Sequence, residues 1–216
     1  PKQNFDITGR LSLSKLAKML PATLQVREGI QIDSGDLQVD ANSGDRDGAF
    51  QWSIKAVLAN LVGRDGARAI QWDEPVVITA NWVEAANAAR LDRVKLSASF
   101  AQGDFTTTDD RIHGKFLIDL GKLFKDLGQF VDLAGIAAIG QAEGNLTLSA
   151  SEGDIFTAEA EAELKEVVVS QQGRNLWEEP QLDVKLVVGG TAAALVPKSL
   201  NSGSLELRSA RDVLSV

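Results

Sequence analysis

Few residues of this 216-residue chain combine a reactive type with a useful spacing. His113 is the only histidine. A lone imidazole can act as a general base, but its counterpart in the internal repeat described below is Thr8, which argues against a shared role. Ser43-Gly44-Asp45-Arg46-Asp47-Gly48 has the outline of a calcium loop. It lacks the later acidic position and carries Arg46 inside, so it reads as a solvated turn. Asp33-Ser34-Gly35-Asp36 reads as a second tight turn. Glu159, Glu161 and Glu163 resemble paired catalytic carboxylates only superficially. Two apart on a strand, they form the wet side of a sheet, with basic residues on adjacent strands offsetting their repulsion. There is no Gly-x-Ser-x-Gly, phosphate loop or dinucleotide fingerprint. With no cysteine, thiolate catalysis, disulfides and cysteine zinc sites are excluded. The expectation is a chain without catalytic residues, metal or cofactor.

The remaining marked residues are aromatic and repeated. Ile70-Gln71-Trp72-Asp73-Glu74-Pro75 returns as Leu176-Trp177-Glu178-Glu179-Pro180, and both the Trp72/Trp177 and the Pro75/Pro180 pairs stand 105 residues apart. Phe50 pairs with Phe156, Ile7-Thr8-Gly9-Arg10-Leu11 with Ile112-His113-Gly114-Lys115-Phe116, and Gly35–Ala41 with Gly144–Ala150. A repeat at this spacing signals architecture. Trp72, Pro75, Trp177 and Pro180 are therefore read as repeat anchors at strand corners. The alternative is a rim aromatic that touches lipid or a partner.

The elements that hold these residues are strands. Phe156, Ala158, Ala160, Ala162 and Leu164 alternate with Thr157, Glu159, Glu161, Glu163 and Lys165, the period-2 pattern of a half-buried strand. The same alternation marks Phe5–Leu13, Leu37–Ala41, Phe50–Ala56, Val76–Trp82, Val94–Phe100, Leu146–Ala150, Leu182–Leu186 and Leu205–Leu207. Turns are expected at Asp33–Asp36, Ser43–Gly48, Gly63–Gly66, Gln102–Asp104 and Gly189-Gly190. Two segments have helical spacing: one near 14–20, with Ser12 or Ser14 as N-cap and Pro21 as stop, and one near 120–132, capped by Asp119. The reading is a mainly β chain: an antiparallel meander of two ~105-residue repeats, 1–108 and 109–216, forming a curved, U-shaped or sandwich-like sheet with one short helix per repeat. Both repeats are expected to belong to one continuous domain cut from a longer protein.

Net charge is −8 and the pI about 4.8. That argues against nucleic acid or an anionic membrane surface as a main partner, because phosphates are held by basic patches. No stretch approaches the ~18–20 apolar residues of a membrane span. One short helix per repeat cannot cover the apolar faces of about six strands. The sheet must close on itself, pair with another sheet or hold something apolar.

The run Gly9-Arg10-Leu11-Ser12-Leu13-Ser14-Lys15-Leu16-Ala17-Lys18-Met19-Leu20-Pro21, followed by Gly35-Asp36-Leu37-Gln38-Val39, resembles the AsmA-like family of bacterial envelope proteins, with its TamB-type relatives. The second repeat carries a similar pattern from Gly114 to Leu127 and from Gly144 to Leu148. The resemblance implies a U-shaped β-groove with an apolar concave face. It also implies a role in phospholipid transport or outer-membrane assembly, a periplasmic location, and an inner-membrane anchor outside this chain. Expected partners are phospholipid acyl chains and envelope proteins. The expected groove lining is Phe50, Trp52, Ile54, Val76, Ile78, Trp82, Val94, Leu96 and Phe100, then Phe156, Leu164, Leu182, Val184, Leu186, Leu205 and Leu207. The alternative is a dry β scaffold or interaction module, which the small Ala158-Ala160-Ala162 run favours locally.

Overall fold

In the computed structural model, the described residues are 4–19, 27, 29–46, 49–85, 88–108, 111–151, 155–193, 196–209 and 212–215. In chain order the elements are β1 (Phe5–Ser12), α1 (Leu13–Met19), β2 (Ile30–Arg46), β3 (Ala49–Asp65), β4 (Arg68–Gln71), β5 (Val76–Ala85), β6 (Ala88–Ser97), β7 (Ala101–Thr108) and β8 (Arg111–Asp119). They continue with α2 (Leu120–Gly128), β9 (Ile136–Ser151), β10 (Ile155–Gln171), β11 (Arg174–Ala193), β12 (Val196–Ser209) and β13 (Val213–Ser215). Every neighbouring pair is antiparallel, and the strands lie in chain order across one open sheet, with β4 beside β3. This is the meander that the alternating pattern requires.

The strands are longer than expected. β2, β3 and β10 each have 17 residues and β11 has 20, against a usual length of ~5–6. Several expected turns lie inside them. Asp33–Asp36 sits within β2 as an irregularity where the pairing with β3 shifts. Ser43–Arg46 continues β2, Gln102–Asp104 belongs to β7, and Gly189-Gly190 is a register shift inside β11. Glycine in a strand marks a bulge or a close approach as readily as a turn. Here the hydrogen-bond ladder resumes after each one. Gly66 and Gly173, both at positive φ, do close tight hairpins. Leu20, Pro21, Asp47, Gly48, Asp109 and Asp110 lie outside the described residues.

The helices are short. α1 opens where the Ser12 and Ser14 hydroxyls meet at 2.9 Å. Asp119 caps α2 by accepting from the Lys122 N–H at 2.9 Å, as its position before an apolar periodic run requires. α2 stops at Gly128, earlier than the apolar pattern suggests, and Phe130 and Val131 lie beyond it.

The two halves repeat in backbone detail. Gly29 and Gly135 both have positive φ, and each sits in a turn closed by Ile30 N–H to Arg27 O (3.1 Å) or Ile136 N–H to Leu133 O (2.9 Å). Asn60 (φ 55°) answers to Glu166 (φ 52°), again 106 residues on. Register also corrects two sequence matches. Leu37 pairs with Leu58 where Ala142 pairs with Leu164, so Gly35 corresponds to Gly140 and not to Gly144. Gly9 stands opposite Val39 as Phe116 stands opposite Gly144, so Gly9 corresponds to Phe116 and not to Gly114. Each correction is an even number of residues, so no side chain changes face.

The chain exposes 14027 Å². A compact monomer of 23.1 kDa would expose roughly 9,700 Å². The sheet is therefore open, and no second sheet packs on it among the described residues. Among the described residues, a cluster of buried side chains joins Leu61, Ile70 and Phe130, with Leu13, Ile30, Ile32, Trp72 and Val131 packed around it. It ties the end of α2 to the tips of β2–β4.

Candidate functional site: an apolar sheet face

Antiparallel partners share a face, so register defines the surface. One row crosses eleven strands as Ile7, Ala41, Ile54, Ala80, Val94, Phe105, Gly114, Leu146, Ala160, Leu186 and Leu205. The next row on that face is Gly9, Val39, Ala56, Ile78, Leu96, Gly103, Phe116, Gly144, Ala162, Val184, Leu207 and Leu214. Neither row contains a polar side chain. At ~4.8 Å per strand each spans roughly 50 Å, perpendicular to the strands. Much of it meets water: Ile54 is 40% exposed, Ile78 45% and Leu186 40%.

Every expected lining residue except Phe100 lies on this face. Trp52 stands opposite Trp82, Val76 opposite Leu58, and Leu164 opposite Leu182. Phe50, Phe156 and Leu182 are buried within it, and Phe50 meets Trp52 edge-on with ring centroids 5.0 Å apart. Phe100 falls in the short connection after β6, because the strand ends at Ser97. Its ring packs edge-on against Trp72 at 5.6 Å. Phe105, Phe116, Val39 and Leu146 complete the face. Val39 and Leu146 belong to alternating runs already legible in the sequence, whereas Phe105 follows the expected turn Gln102–Asp104, which is strand.

Glycines shape the face. A Cβ at Gly114 would lie 2.1 Å from Asp104 O, and one at Gly144 would lie 2.2 Å from Glu161 O and 2.8 Å from the Phe116 ring. The neighbouring backbone crowds the apolar side at these points. Phe105 and Phe116 then cover what the missing side chains would leave bare.

The opposite face is charged. Its matching row runs Thr8, Asp40, Lys55, Thr79, Lys95, Asp104, Lys115, Asn145, Glu161, Lys185, Glu206 and Ser215. Lys185 bridges Glu159 (2.5 Å) and Glu161 (2.8 Å), and Lys165 reaches Glu163 at 3.0 Å. Hydrogen bonds to the two glutamates hold the Lys185 ammonium charged well above its usual range. Asp33 pairs with Arg64 and Asp36 with Arg10, both bidentate, and the guanidinium hydrogen bonds lower both carboxyls. These groups neutralise one another across strands. An open concavity of about 480 Å³ lies on this charged side, lined by Lys115, Glu143, Glu161, Asp183, Lys185 and Arg208 among others. His113 sits on the same side, exposed, between Thr106 and Thr147.

The repeated tryptophans have different fates. Trp72 is half-buried, donates its backbone N–H to Leu61 O at 2.9 Å, and lies 6.4 Å from the Phe130 ring. Pro75 stands in the break between β4 and β5. Trp177 and Pro180 lie inside the unbroken β11, and Trp177 is 40% exposed. Leu176 is an extra residue there: Ser170 pairs with Asn175 but Val169 with Trp177. Trp177 thereby takes the register place of Ile70, which pairs with Gly63 in the first half.

No helix among the described residues is long and apolar enough to cross a membrane. No family model, curated protein or solved structure matches this chain.

Proposed function

We propose that this chain is a non-catalytic segment of an AsmA-like periplasmic protein whose apolar sheet face carries phospholipid acyl chains. The observation that carries this reading is the pair of apolar rows, exposed and uninterrupted by polar side chains across eleven strands. Soluble proteins rarely leave apolar patches beyond a few hundred Å² in water without an occupant. Apolar lining without fixed polar groups suits loose selection of acyl chains, and transfer along such a track needs no covalent step. The charged reverse face keeps the assembly soluble. Outer-membrane assembly is the corresponding process for the whole protein, with other envelope proteins as partners.

Native mass spectrometry of the purified chain, followed by organic extraction, tests the reading. Phospholipid should co-purify, and the double variant Ile78→Asp/Leu96→Asp should lose it while keeping its β circular dichroism. Ile78 and Leu96 face each other across β5 and β6. A wild-type chain that is folded, lipid-free and unable to bind a fluorescent fatty acid would leave the dry scaffold as the better account.

A further inference from the structure

The first repeat's hairpin tip is covered by the second repeat. Phe130 lies over Gly63, its ring 3.4 Å from where a Cβ would stand. Around it Leu61 is 7% exposed, Ile70 4% and Phe130 itself 4%. Arg27 secures the contact, donating its N–H to Phe130 O (2.9 Å) and its guanidinium to Gly128 O (3.2 Å).

The second repeat builds the same tip. Ile136, Ala138, Val167, Val169 and Trp177 take the register places of Ile30, Ile32, Leu61, Gly63 and Ile70. Val167 is buried like its counterpart, at 2% against 7% for Leu61. The outer part is open: Ile136 and Trp177 are each 40% exposed, where Ile70 in the first tip is 4% exposed. Leu133 stands where Arg27 stood and keeps the same turn, with an apolar side chain in place of the guanidinium. Val169 also fills the hollow that Gly63 leaves for a flat ring.

We infer that the tip of β9–β11 is a docking site for the end of an amphipathic helix of the α2 type, belonging to another repeat unit and presenting adjacent bulky apolar side chains. The internal precedent is the argument, since the same register and turn are already covered once by such a segment. Docking would repeat the α2 contact from unit to unit, as stacked repeats bury their faces against neighbours. The inference does not depend on acyl-chain binding.

The test uses the whole chain and a capped peptide of residues 119–133, with hydrogen exchange as readout. Binding should slow exchange in 167–177. Trp177→Ala, at an exposed position, should weaken binding about tenfold or more, as removal of a central aromatic anchor does, with circular dichroism and melting unchanged. Ile136→Ser supplies a second variant should the first not fold. Several results would overturn the proposal: no binding at millimolar peptide, equal binding of a scrambled peptide, or slowed exchange confined to 61–72. Protection of 167–177 in a concentrated chain without peptide, together with a doubled sedimenting mass, would make a second copy the occupant and overturn it too.

Discussion

Arginine–carboxylate pairs and crowded glycines are the residues with the most definite physical roles. The carboxyls of Asp33, Asp36 and Asp104 are lowered, each first by a hydrogen bond from its arginine. A carboxyl lowered in the folded state adds stability above its unfolded value, ~3.9, and loses it as pH falls through the folded value. These pairs are exposed, so the contribution is small and screened by salt. Asp36→Asn should therefore lower stability slightly at pH 7, with the difference from wild type vanishing as pH falls below about 4, which flattens the acid limb. Urea midpoints from pH 2 to 7 check this, and an unchanged acid limb would remove the pair from the account. At Gly114 the neighbouring backbone leaves no room for a side chain. Gly114→Val should cost at least about 1–3 kcal/mol, the usual penalty of overpacking, read as a lower melting temperature.

Long strands and two short helices divide the structural work. The helices do not cover the sheet. α2 instead delivers Phe130 and Val131 to the cluster of Leu61, Ile70 and Trp72, and Ser99 Oγ donates to Asp126 at 2.9 Å to hold it from the β6–β7 side. Phe130→Ala should cost about 3–5 kcal/mol, as for other buried aromatics cut to alanine. Chemical denaturation should show the loss, and exchange should rise first at the tips of β2–β4. A change confined to α2 would mean that the contact does not join the halves. The Trp177 site is the matching contact left open in the second half, and its peptide test belongs to the same scale.

For the whole molecule, the dominant fact is an open sheet with one apolar face in water. Such a surface should bind the dye ANS in native buffer, saturably and in competition with a fatty acid. Molten states also bind ANS, so near-ultraviolet circular dichroism must show that Trp52, Trp72 and Trp82 remain fixed. A native chain that ignores the dye would mean that the face is covered in solution.

The period-2 alternation determined the strands and which of their side chains share a face, because side chains two apart must point the same way whatever lies across the sheet, and the short turns between successive runs gave the antiparallel order. The repeat was visible for the same reason: Trp72 and Trp177, Phe50 and Phe156 recur at nearly constant spacing. Asp119 was readable as a cap, since capping is local. Register needed the partner strand. Gly35, Gly103 and Gly189 looked like turns and became irregular or close-packed strand positions only because the neighbouring strand continues past them. The differing fates of Trp72 and Trp177 likewise rest on one bulged residue, Leu176, and on which tip the end of α2 reaches. That the sheet stays open was a choice among closure, pairing and occupancy. Local pattern cannot make that choice, because it depends on how curvature accumulates over a dozen strands.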